Sequence, residues 1–174
     1  SRTGTNSGPR AIREASDQFS SYNANTGVDL TDHFRLADVG DVPVVPGSAV
    51  KSMALAEAMV SEVLAAGAMP ITLGGDHSIT IACVRAFAKA HKRPGLILVD
   101  SHFDTALEVG GEELSHCCPI SRAVDAGFDP KRIVIVGTKG WMNPKVELDY
   151  ILKHGITLMP IETIIERGPV AIGR

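Results

Sequence analysis

Short apolar runs alternate with helical patterns along most of this chain, and that alternation limits the possible fold more than any other feature of the sequence. Met69-Pro70-Ile71-Thr72-Leu73 reads as a strand, and a helical pattern follows with Ile79, Ile81, Val84, Phe87 and Ala88 on its apolar face. Leu96-Ile97-Leu98-Val99 is the next strand, then comes a helix around Ser121 to Ala126 stopped by Gly127, and then the strand Arg132 to Val136. Asn143-Pro144 opens a helix that Gly155 closes, Ile156 to Met159 forms a further strand, and Ile161 to Arg167 begins a last helix. Upstream, proline near Ser7-Gly8-Pro9 marks a capped helix start, and a helix from about Ser48 to Ala66 ends at Gly67. Such an order calls for an α/β fold, a mostly parallel sheet with helices on both faces. At 174 residues and 44% hydrophobic content, residues 1–174 are expected to form a single domain.

The Leu96 run stops in Asp100-Ser101-His102-Phe103-Asp104. Side chains of an extended chain alternate faces with period two, so Asp100, His102 and Asp104 share one side while Ser101 and Phe103 share the other. Two carboxylates and an imidazole on one side of a strand end make a candidate metal site. The Ile71 run leads into Gly74-Gly75-Asp76-His77-Ser78, where the glycines permit a sharp turn and a close approach. His77 therefore sits at a strand-to-helix turn. In open α/β sheets ligands bind beyond the carboxyl ends of strands, and both groups fall there.

Charge and composition exclude several classes. Seventeen basic and twenty acidic residues leave a net charge of −3, without the Lys/Arg block that tracks phosphates, so no nucleic acid partner is expected. The apolar stretches are far short of the roughly 18 residues that span a bilayer, so no membrane partner is expected either. Cys83, Cys117 and Cys118 have no zinc-ligand spacing, and their odd number argues against a disulfide framework. Cys117 and Cys118 read as small packing residues, and a reducing compartment, the cytoplasm, is the expected location. Trp141 reads as a packing aromatic, and Glu108, Glu112 and Glu113 as a solvated acidic loop.

Taken together, Gly8-Pro9-Arg10-Ala11-Ile12-Arg13, Gly74-Gly75-Asp76-His77-Ser78, Asp100-Ser101-His102-Phe103-Asp104, and Ser115-His116 followed by Pro119 and Arg122-Ala123 resemble the arginase/agmatinase (ureohydrolase) family. The resemblance covers nearly the whole chain. It implies a three-layer α/β/α fold and a pair of Mn²⁺ ions that activate a bridging hydroxide to attack a guanidinium carbon, releasing urea and an amine. By that resemblance His77, Asp100, His102 and Asp104 match metal ligands, with Asp100 and Asp104 the candidates to bridge. His116 matches the active-site histidine that shuttles protons or orients the substrate. The chemistry suits these residue types, because a resonance-stabilised guanidinium needs a hydroxide generated at neutral pH. Imidazole and carboxylate donors suit Mn²⁺, with Ni²⁺ as the alternative. The resemblance further implies a small guanidino substrate, such as agmatine or guanidinobutyrate, and a homo-oligomer, trimer or hexamer. It assigns no substrate-binding residue.

The departures from the family pattern carry expectations of their own. Family members supply two more metal-binding aspartates from a later Asp-x-Asp segment and have a strand before the segment resembling Ser1-Arg2-Thr3-Gly4. Residues 1–174 are thus expected to be a partial domain, lacking the first and last strands and inactive alone, with open strand edges that invite association. Cys117-Cys118 stand where glycine and a small polar residue are usual, and Gly137-Thr138-Lys139-Gly140 where Gly-Ile-Arg-Gly is common. Both changes bear on the substrate. A second reading is a non-catalytic ureohydrolase-like subunit that binds little or no metal. A third, a zinc deacetylase of related fold, calls for a His-His pair that this sequence lacks.

Overall fold

The computed structural model describes residues 4–173. A one-turn 3-10 helix, Thr5–Ser7, leads into α1 (Gly8–Ser16) with Pro9 in its first turn. A two-residue hairpin, β1 (Tyr22–Asn23) with β2 (Val28–Asp29), and a short α2 (Leu30–His33) follow, none of which the apolar pattern had announced. Then α3 (Ala49–Ala65) begins where Ser48 accepts a hydrogen bond from the Lys51 amide, and the chain leaves it through Gly67 at φ +71°.

Helix α4 (Ile79–Ala90) precedes β3 (Leu96–Val99), and α5 (Pro119–Asp125) precedes β4 (Ile133–Val136). After β4 come α6 (Lys145–His154), β5 (Thr157–Met159), α7 (Ile161–Arg167) and α8 (Pro169–Ile172). The strands form one parallel sheet in the order β3-β4-β5, with Leu98 opposite Ile135 and Ile135 opposite Leu158. Parallel neighbours need a crossover, and α5 and α6 supply the two connections. Helix α6 ends where Gly155 adopts φ +72°, a left-handed stop that costs glycine nothing.

The pleat sorts the sheet's two faces. Leu98, Ile133 and Ile135 point into a core with Val84 of α4, Ile120 and Ala123 of α5, Ile151 of α6, and Phe103 and Phe128. A second cluster, Met53, Ala56, Ile81 and Ala82, joins α3 to α4. Helix α4 thus serves both clusters. On the opposite face Ile97 and Val99 remain 71% and 79% exposed.

Two expectations are corrected. Met69 to Leu73 runs without regular secondary structure, with Met69 and Ile71 about three-quarters exposed at 76% and 75%. An apolar, β-prone run becomes a strand only when a neighbour completes its hydrogen-bond ladder, and among the described residues no strand pairs with it. Trp141 is fully exposed in the loop between β4 and α6 rather than packed. Cys118, by contrast, is wholly buried as a packing residue, and Glu108, Glu112 and Glu113 are exposed.

Candidate metal centre

Two backbone turns bring the ligand candidates together. In the turn before α4, Asp76 Oδ1 accepts from the Ser78 amide at 2.9 Å and from the Ser78 hydroxyl. That side-chain turn, rather than a cap by Ser78 itself, starts the helix and sets the direction of His77. Gly75 is required here because a Cβ would lie 2.8 Å from the Thr5 carbonyl oxygen. After β3, the Asp100 amide still donates to the Val136 carbonyl, so the ladder continues one residue past the strand. The chain then bends, and Asp104 takes φ +51°, a left-handed conformation that asparagine and aspartate tolerate better than most residues.

His77 Nδ1 donates to Asp104 Oδ2 at 2.5 Å and lies 3.8 Å from Asp100 Oδ2. One donor atom each from His77, Asp100 and Asp104 falls within 4.8 Å of the others. Asp104 is buried, and His77 and Asp100 are partly buried. His102 turns its ring to Asp100, with Nδ1 2.9 Å from Oδ1, and its amide donates to the same oxygen. Phe103 packs into the core, but the bend after Asp100 means that no continuous strand alternation places it there. His116 lies exposed in the turn ahead of α5, outside the three-residue cluster.

The hydrogen bond to Asp104, helped by the charges of Asp104, Asp100 and Asp76, raises the His77 pKa above the ordinary histidine value even though burial opposes it. Positive charge is therefore favoured at this point of the structure. A divalent cation meets the same surround, and imidazole with two carboxylates is a donor set that suits Mn²⁺ or Ni²⁺. The residues fit such an ion.

The sequence reading missed the support behind this loop. Asn143 accepts from the Phe103 amide at 3.0 Å, and Glu147 accepts from the Thr105 amide at 2.9 Å. Burial raises the Glu147 pKa above the usual carboxylate range, against the pull of its bonds to Thr105. Asn143 stood out in the sequence only as the residue before a helix-opening proline. Only the three-dimensional packing of α6 gives it a second role.

The fold and these turns define an α/β protein with a His/Asp cluster at the carboxyl end of a parallel strand. The arginase family profile matches residues 1–173, and the chain belongs to the arginase family. It is 37% identical to the mitochondrial agmatinase of Gallus gallus over 162 residues, 92% of this chain and 48% of that protein. It is 33% identical to the guanidinobutyrase of Pseudomonas aeruginosa, over 92% of this chain and 51% of that enzyme. A formiminoglutamase of Trypanosoma cruzi solved with Mn²⁺ superposes with a TM-score of 0.89 at 28% identity, covering 98% of this chain and 57% of its own. The chain spans about half the length of the relatives it matches. No helix among the described residues is long and apolar enough to cross a membrane.

Proposed function

We propose that the protein containing this chain is a metal-dependent hydrolase of a small guanidino compound, releasing urea and an amine. The observation that carries the reading is the convergence of His77, Asp100 and Asp104 within 4.8 Å from two separate turns. The agmatinase and guanidinobutyrase likenesses support the substrate class.

In this reading His77, Asp100, His102 and Asp104 hold divalent ions, Mn²⁺ or Ni²⁺. Ions so held supply the Lewis acidity that makes water a nucleophile at neutral pH. His102 Nδ1 lies 2.9 Å from Asp100 Oδ1, so Asp100 keeps the His102 ring beside the cluster. His116, exposed in the turn ahead of α5, carries protons to or from the substrate in this reading. The 174-residue chain by itself is inactive on this reading, and the active form is a cytoplasmic homo-oligomer.

The test is urea release by the full-length protein, loaded with Mn²⁺ or Ni²⁺, from a panel including agmatine and guanidinobutyrate. Turnover of at least one substrate is expected. No urea from any of them, with metal bound, would overturn the proposal.

A further inference from the structure

The metal-ligand candidates occupy the even positions 100, 102 and 104, and the backbone of the odd positions between and after them is held from outside the loop. Asn143 donates through Nδ2 to the Ser101 carbonyl at 2.9 Å and to the Lys139 carbonyl at 3.0 Å, and accepts through Oδ1 from the Phe103 amide. Glu147 Oε2 accepts from the Thr105 amide and from the Thr105 hydroxyl, at 2.9 and 3.3 Å. The same hydroxyl lies 3.2 Å from the Glu147 carbonyl oxygen. Asn143 lies just ahead of α6 and Glu147 in its first turn, and both side chains meet one loop. Helix α6 is itself fixed by Ile151, which is wholly buried in the main core.

We propose that Asn143 and Glu147 are positioning residues that set the path of residues 101–105 and so aim His102 and Asp104 into the metal site. The inference rests on the metal-centre reading above. Residues 103–106 have no regular secondary structure, so no strand or helix ladder organises them. Asp104 holds a left-handed φ of 51°, which aspartate tolerates but which the bonds around it must still select over the commoner negative φ. The bonds from Asn143 and from Glu147 of α6 bracket that residue on both sides, at Phe103 and Thr105. Thr105 is 1% exposed, so its amide has no solvent to turn to once Glu147 is removed. Without the bracket, Asp104 relaxes toward negative φ and its carboxylate leaves His77.

The experiment uses the full-length protein with Asn143→Ala, Glu147→Ala and Glu147→Gln. Asp149→Ala serves as a control on the same helix, at an exposed residue paired with Lys145. Amide exchange is followed on the metal-free protein, and Mn²⁺ affinity is measured by calorimetric titration. Exchange at Phe103 and Thr105 is expected to rise at least about tenfold in the two alanine variants while Ile133 to Val136 stay protected, the sign of local opening. Mn²⁺ affinity is expected to fall about 10- to 100-fold in the same variants, the usual effect of losing a group that orients ligands. Glu147→Gln keeps an acceptor for the Thr105 amide and stays close to wild type, as does Asp149→Ala. Unchanged exchange at Phe103 and Thr105 overturns the proposal, as does equal loss of protection throughout the β4 strand. So does a Glu147→Gln variant as impaired as Glu147→Ala. If Glu147→Ala does not fold, Asn143→Ala decides the matter. If wild type takes up neither Mn²⁺ nor Ni²⁺, the proposed function falls and amide exchange alone judges the positioning role.

Discussion

His77 Nδ1 reaches Asp104 Oδ2 across 2.5 Å, joining the turn before α4 to the loop after β3 although 27 residues separate them in the chain. Asp104→Asn isolates the charge in this contact, since asparagine also tolerates the left-handed backbone. In the full-length protein Mn²⁺ affinity is expected to fall by more than the roughly 100-fold associated with outer-sphere changes, with the fold retained. Metal titration alongside circular dichroism checks both parts, and wild-type affinity in the variant would contradict the ligand assignment.

Ile135 lies wholly buried at the centre of the sheet, opposite Leu98 on one side and Leu158 on the other. Ile135→Ala should cost about 2–5 kcal/mol, and Ile135→Val about 0.5–1.5 kcal/mol. Urea unfolding of the two variants measures the difference, and equal costs would show that this position does not fill a packed core.

Gly75 passes so near the start of the described chain that a methyl group would lie 2.8 Å from the Thr5 carbonyl oxygen and 2.9 Å from its carbon. Both are backbone atoms and cannot rotate away. Gly75→Ala is expected to destabilise by about 1–3 kcal/mol, the usual cost of overpacking. A thermal melt reads the loss, and a variant as stable as wild type would mean that the Thr5 segment yields freely.

Burial pushes the thiols of Cys83 and Cys118 above the ordinary cysteine value. The thiolate is the species that alkylates, so a raised pKa moves the rise in rate to higher pH than that of an unfolded thiol. With iodoacetamide at pH 8 both cysteines should react more slowly in the folded protein than in denaturant, with Cys118, which is fully buried, the slower of the two. Equal folded and unfolded rates at pH 8 would contradict this.

Much of the fold was legible because burial leaves a period in the sequence. Leu96 to Val99 and Ile133 to Val136 were recognisable as strands from their unbroken apolar, β-branched content, and Ser48 and Gly67 bounded α3 by cap chemistry. Met69 to Leu73 has the same composition and forms no strand, since a ladder is a property of two segments and one segment cannot declare it. At the site, the alternation argument grouped Asp100, His102 and Asp104, whereas the chain bends after Asp100 and the cluster joins Asp100 and Asp104 to His77. The contacts of Asn143 and Glu147 with the Asp104 loop, about 40 residues away in sequence, left no local pattern to read.

The register of β3 against β4, Leu98 beside Ile135 and Val99 beside Val136, has a consequence for assembly of the site. A slip of one residue reverses which side chains face each way. Ile97 and Val99 would then turn into the core and Leu98 out of it, and the loop that begins at Asp100 would leave the sheet one residue, about 3.3 Å, out of place relative to His77. The cluster is in this sense a parity check on the sheet: a chain that paired its strands one step out of place would not bring His77, Asp100 and Asp104 together, so their convergence reports correct strand pairing.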